Sequence, residues 1–276
     1  APGAMPRAPR RRQLGLSDRP GGLRPAAPGA GPPTPWAPYD LALADVDADG
    51  DLDLYLCTSL QDQLWLNDGS AQFQDVTAQK LPVETSRDRC AAFGDVDGDG
   101  DPDLVVGDFG GPNRLLLNDG TGGFQDAPAG ALPPMANRSD DVMLADLDGD
   151  GDLDIFFADP VQSRLLLNQG AGSFVDVSAT QLPPIQGFEA HSGDVDGDGD
   201  LDLLCSGALL LNNGAASFVN ASNQVQLPPF TSITTTLFAD ADLDGDLDIV
   251  AGISALHGFD LDLLWNAGRG GCDPAT

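Results

Sequence analysis

Histidine is nearly missing from this chain. His191 and His257 are the only two, and neither falls in a G-x-S-x-G or H-E-x-x-H arrangement, so hydrolysis by a serine triad or a zinc-bound water lacks its usual residues. His191 lies in a predicted strand, where an imidazole lines a core or a channel. Basic residues are also few. Thirteen Lys and Arg against 43 Asp and Glu leave a formal charge of −30, and a surface of that sign argues against nucleic acid or anionic lipid as partner. No apolar run approaches the roughly 20 residues that span a bilayer, so membrane insertion is not expected, while 41% hydrophobic residues can build a core. The four cysteines, Cys57, Cys90, Cys205 and Cys272, have neither a metal-ligand spacing nor the density of a disulfide framework, and buried free thiols are expected.

The first 36 residues are Pro, Ala, Gly and Arg without apolar periodicity, and they hold six of the basic residues. Disorder is expected there. No hydrophobic segment follows Arg10-Arg11-Arg12, so no secretory signal peptide is read from them. Asn137-Arg138-Ser139 and Asn220-Ala221-Ser222 match the glycosylation sequon.

What the chain has in excess is aspartate at alternate positions. Asp45, Asp47, Asp49, Asp51 and Asp53 fill the odd places of a nine-residue run with Gly50 at the sixth. The run recurs as Asp95, Asp97, Asp99, Asp101, Asp103; as Asp146, Asp148, Asp150, Asp152, Asp154; as Asp194, Asp196, Asp198, Asp200, Asp202; and as Asp240, Asp242, Asp244, Asp246, Asp248. These runs supply 25 of the 43 acidic residues, so the charge is local. Like charges about 4 Å apart repel by roughly 4 kcal/mol at an effective dielectric near 20, and a hard divalent cation removes that cost. Side chains at positions 1, 3 and 5, a backbone carbonyl at 7, a closing carboxylate at 9 and a turn-forming glycine at 6 suit calcium, giving about five sites. Magnesium, which wants a tighter octahedron and keeps its waters, fits less well. An EF-hand is excluded, because its glutamate at position 12 is replaced by Leu56, Val106, Phe157, Cys205 and Ala251.

Short apolar runs follow each acidic run and read as strands. Successive runs start 50, 51, 48 and 46 residues apart, the range of one four-stranded propeller blade. In the first unit strand A is 39–44, strand B 52–58, strand C 63–66 and strand D 72–76, with Asn67-Asp68-Gly69 turning C into D. The Asn-x-Gly turn recurs at Asn118, Asn168, Asn212 and Asn266, after leucine in the first three and after Trp265 in the last. Phe73, Phe124, Phe174 and Phe218 each open a strand D, and a Leu-Pro pair then leads to the next unit. The expected fold is an all-β propeller of four-stranded blades at about 37–85, 86–136, 137–185, 186–230 and 231–276. The fifth reads as lacking strand D, and whether five blades close a ring or form part of a larger one stays open.

These residues resemble the FG-GAP/VCBS repeat family, the calcium-loop β-propellers related to the head of integrin α subunits. The resemblance covers 37–276 and implies calcium loops between strands A and B, with ligands on the opposite face or in clefts between blades. Carried over, a ligand face would draw on Arg87, Arg89, Asp108, Phe109, Asn113, Gln162, Ser163, His257, Phe259 and Asp260. The implied function is a non-enzymatic extracellular or cell-surface binding and adhesion module for protein or carbohydrate, with structural calcium. A purely structural repeat region of a larger secreted protein, or a calcium-dependent hydrolase or lyase, are the alternatives.

Overall fold

The computed structural model describes residues 38–70, 72–135, 138–224, 232–255, 258–266 and 272–274, with side chains as far as 252 apart from those of 232 and 234. Residues 1–36, Asn137, His257 and the side chains of Phe259, Asp260 and Cys272 therefore lie outside the description.

Twenty strands form five antiparallel four-stranded sheets, each in simple chain order. Blade 1 is β1 (Asp40–Ala44), β2 (Asp53–Cys57), β3 (Gln63–Asn67) and β4 (Phe73–Asp75). Blade 2 is β5 (Asp88–Gly94), β6 (Asp103–Asp108), β7 (Arg114–Asn118) and β8 (Phe124–Asp126). Blade 3 is β9 (Asp141–Ala145), β10 (Asp154–Ala158), β11 (Arg164–Asn168) and β12 (Phe174–Asp176). Blade 4 is β13 (Ala190–Gly193), β14 (Asp202–Cys205), β15 (Ala208–Leu211) and β16 (Val219–Asn220). Blade 5 is β17 (Ser232–Ala239), β18 (Asp248–Ala255), β19 (Gly258–Asn266) and β20 (Cys272–Pro274).

The last strand corrects the sequence reading, which ended the fifth unit without a strand D. Cys272 pairs with Asn266, Asp273 with Trp265 and Pro274 with Leu264. No aromatic opens this strand, and an outermost strand tolerates proline because its free edge has no ladder bond to make. Two helical turns also went unread, α1 (Thr77–Lys80) and α2 (Ser178–Gln181), each just ahead of a Leu-Pro pair.

The core is a series of layers between blades. Tyr55 and Leu64 of blade 1 pack with Leu104, Leu116 and Phe124 of blade 2. Blades 2 and 3 share Val105, Leu115, Ile155, Leu166 and Phe174; blades 3 and 4 share Phe156, Leu165, Leu203, Leu210 and Phe218. A smaller layer joins Leu204 and Leu209 of blade 4 to Ile249 of blade 5. This explains strands such as β6 and β10, buried at every residue: both sheet faces are covered, so hydrophobicity need not alternate. β1 does alternate, with Leu41 and Leu43 more than half exposed. Among the described residues no layer joins blade 5 to blade 1, and that face of blade 1 has no neighbour. The fold is an all-β propeller array, and its described residues do not close it into a ring. Cys57, Cys90 and Cys205 are buried free thiols.

Candidate metal loops and the opposite face

Each acidic run connects strands A and B and wraps around its own first aspartate. The amide of the glycine at position 6 donates to one oxygen of Asp45, Asp95, Asp146 or Asp194 at 2.9–3.1 Å, and an amide at position 4 or 5 donates to the other. The amide at position 7 reaches the carboxylate at position 5 in all five loops. Glycine at 6 is required because φ there is +96° to +102°, a region closed to L side chains. Position 4 is left-handed too. Glycine fills it in three loops, but Ala48 (φ 59°) and Leu243 (φ 67°) fill it in the others. Leu243 is 85% exposed, so Leu243→Gly forfeits little packing and relieves a left-handed cost of about 1 kcal/mol. A rise in thermal midpoint of about 2–4 °C is expected by differential scanning fluorimetry.

The loops bring together oxygens of positions 1, 3 and 9. Single carboxylate oxygens of Asp45, Asp47 and Asp53 lie within 4.8 Å of one another, as do those of Asp146, Asp148, Asp154 and of Asp194, Asp196, Asp202; in the second loop the set is Asp95, Asp97 and Asp99. A carboxylate oxygen is left buried with no hydrogen-bond partner at Asp47, Asp196 and Asp240. An orphaned, acceptor-only atom among like charges is what a cation site requires. Burial, with neighbouring aspartates adding to it, raises the carboxyls of Asp47, Asp148 and Asp196 above their ordinary range. The donor set fits a divalent metal ion. Position 7 stands apart: in the first, second and fourth loops the carboxylates of Asp51, Asp101 and Asp200 press on Gly69, Gly120 and Gly214 of the following C–D turn, where any Cβ would collide with them. There the backbone carbonyl is the group left to offer.

Position 9 ties the loop to the sheet. Asp53, Asp103, Asp154 and Asp202 are buried, each with one oxygen accepting the amide of position 2 (2.9–3.1 Å) and the other the amide of the asparagine that ends strand C (2.8–2.9 Å). Burial nevertheless pushes Asp103, Asp154 and Asp202 up to about 6.

The same asparagines do more than turn the chain. Nδ2 of Asn118 donates to Val46 O (2.9 Å), of Asn168 to Val96 O (2.8 Å) and of Asn212 to Leu147 O (2.7 Å). The acceptor in each case is position 2 of the preceding blade's acidic loop, whose side chain is itself sunk between the two blades. Acidic loop and blade contact are thus one structure. Sequence reading missed this, because it took the asparagine only as a turn former.

At the far end of the sheets, where strands A begin and strands B end, the residues expected on a ligand face divide. Asp108 is buried: it accepts the amides of Arg87 (2.8 Å), Gly110 (2.7 Å) and Gly111. Asn113 is bound to Ser139, and Ser163 is buried beside Cys205. The half-buried Gln162 only donates its amide to Asp159. These four hold loops in shape. Arg87, Arg89 and Phe109 instead line a concavity of about 380 Å³ together with Tyr39 and Ser59. Next to it, Asp62 and Asp88 are buried side by side. Asp62 accepts Tyr55 Oη and Thr58 N, both at 2.6 Å, and burial with Asp88 beside it pushes its carboxyl up to about 8. At 0% and 1% exposure, neither can meet a substrate.

The family model described as FG-GAP-like repeat matches residues 45–106, 95–157 and 146–205. No curated protein matches the sequence significantly. Among solved structures, a lectin of Agrocybe aegerita that recognises non-reducing terminal N-acetylglucosamine is 21% identical at a TM-score of 0.51, over 85% of this chain and 64% of that one. The V. cholerae biofilm matrix protein Bap1 is 18% identical at a TM-score of 0.46, over 85% and 38% respectively. The chain spans less than two thirds of either. At these identities the likeness concerns the fold. Among the described residues no helix is long and apolar enough to cross a membrane.

Proposed function

Since this chain belongs to the FG-GAP-like repeat family, we propose that it is a calcium-binding, non-enzymatic module that acts outside the cell or at its surface by holding a protein or glycan ligand. The observation that carries this reading is the division of labour between the two ends of the sheets. One end presents acidic loops with orphaned oxygens, and the other a concavity lined by Tyr39, Arg87, Arg89 and Phe109. Asp45, Asp47, Asp49 and Asp53, with their counterparts in the other loops, would hold calcium, with the position-7 carbonyl as a further ligand. Bound calcium supplies positive charge that lets five aspartates share a short loop. The chain then does the rest: position 2 is fixed by position 9, and through it the strand-C asparagine of the next blade. Non-enzymatic action is supported by the inaccessibility of Asp62 and Asp88.

A panel of immobilised glycans and matrix proteins tests the reading, probed in 1 mM calcium and again with chelator. Binding that needs calcium is expected. Silence towards the whole panel in calcium would instead support a purely structural repeat.

A further inference from the structure

Five side chains from four blades form an alternating stack at the end of the sheets away from the acidic loops. The guanidinium carbon of Arg89 lies 5.0 Å from the ring centre of Tyr39 and 4.6 Å from that of Phe109. Arg138 lies 4.8 Å from Phe109 and 5.8 Å from Phe188. Rings over the face of a guanidinium hold it still and leave its in-plane N–H groups as the way to bind anything further.

Those edges are unequally occupied. Arg138 is paired with Asp140: its Nη2 donates to Oδ1 at 2.8 Å, and its Nε lies 2.6 Å from Oδ2. Arg89 meets the same carboxylate only through Nε at 3.9 Å, and Arg87 makes no ion pair among the described residues. Of the other nearby carboxylates, Asp108 is saturated by backbone amides, and Asp62 and Asp88 are buried out of reach. Three of the seven basic residues beyond residue 36 thus gather here, in a chain with a formal charge of −30. Among the described residues this is where basic side chains gather, and an anion finds its complement there.

We propose that the free guanidinium edges of Arg87 and Arg89 bind the carboxylate of an acidic saccharide, a uronate-bearing glycan seated in the concavity that these arginines line together with Tyr39, Ser59 and Phe109. This rests on the binding-module reading and narrows its ligand to one class. A planar carboxylate matches the guanidinium fork. What favours a sugar over an acidic peptide is the aromatic lining of Tyr39 and Phe109, of which Tyr39 is 53% exposed with a single guanidinium neighbour. Such rings accept the C–H face of a pyranose, and about 380 Å³ lies within the usual range of ligand pockets.

The test is isothermal titration of the full chain, in calcium, with oligogalacturonate and a hyaluronan hexasaccharide as uronate probes, a neutral galacto-oligosaccharide, and oligoglutamate. At least one uronate probe is expected to bind at least about tenfold more tightly than the neutral sugar or the peptide. Arg87→Gln should weaken it about tenfold or more with an unchanged melting temperature, since that side chain supports nothing. Arg89→Gln should weaken it further, and raising the salt should weaken it in every case. Equal affinity for the neutral sugar or for oligoglutamate, or an unaltered Kd in Arg87→Gln, overturns the proposal. So does the absence of uronate binding by a chain that captures another ligand on the panel, an outcome that leaves the binding-module reading standing. Silence towards every probe and the whole panel removes both.

Discussion

Asn168→Ala is expected to destabilise the protein by about 3 kcal/mol, whereas Asn67→Ala should cost only about 1 kcal/mol. Both asparagines end a strand C in the same turn, and both backbone amides bind a position-9 aspartate. Their side chains differ in reach. Asn168 is 1% exposed, and its Nδ2 bonds Val96 O in the preceding blade as well as Leu153 O in its own, while Oδ1 accepts the amide of Gly170. Removing it leaves these groups short of partners in a dry interface, and each buried polar group left unmade costs about 1–3 kcal/mol. Val96 O keeps the amide of Gly172 (2.9 Å), which holds the total to the lower part of the summed range. Asn67 donates to Leu52 O and accepts the amide of Gly69, both within its own blade, and among the described residues its side chain reaches no neighbouring blade. Urea melts of the two variants decide the matter. Equal losses would mean that the asparagine matters as a turn former alone and that the contact between blades is energetically idle.

That contrast also marks where sequence reading stops. The acidic runs, the apolar strands after them and the Asn-x-Gly turns are local patterns, and in the first unit strands B and C appeared within a residue of their expected places because alternating aspartates and leucine runs leave the backbone few choices. The bond from Asn168 to Val96 spans 72 residues. Nothing local distinguishes an asparagine that only turns the chain from one that also fastens two blades. Tyr39, Arg89, Phe109, Arg138 and Phe188 lie in loops and strand ends of four blades; Arg89 and Phe109 were expected on a ligand face, but no common motif joins them to the other three. Their stack exists only because the propeller sets successive strands A side by side. Asp108 and Ser163 show the reverse error: polar residues in surface-like loops were expected to face a ligand, yet both are turned inward to satisfy amides or fill space. The last strand, Cys272–Pro274, lacks the phenylalanine that signals its counterparts.

The largest effect should come from the metal. If each loop binds calcium with Kd near 0.1 mM, 1 mM calcium contributes about 1.4 kcal/mol per site, and five loops together about 7 kcal/mol, comparable to the whole stability of a domain. At about 2–4 °C per kcal/mol for a protein of this size, chelation should lower the melting temperature by about 15 °C or more. Acidity should erode the difference from both directions. In the metal-free fold Asp103, Asp154 and Asp202 titrate at about 6, against about 3.9 for an unfolded aspartate. Between those values the folded form binds more protons than the unfolded one. Without metal, these groups therefore add stability as the pH falls through 6 towards 4 and withdraw it as the pH rises. Calcium needs the same carboxylates ionised, so its contribution shrinks over the same interval.

Thermal unfolding followed by circular dichroism, with 1 mM calcium and with excess EDTA, at pH 7.5 and again at pH 5, puts the central claim to its most direct test: that ions in the acidic loops hold the blades in register. A sheet spectrum is expected, with a gap of about 15 °C or more at pH 7.5 that narrows at pH 5. Coincident melting curves in calcium and EDTA at pH 7.5 would contradict it.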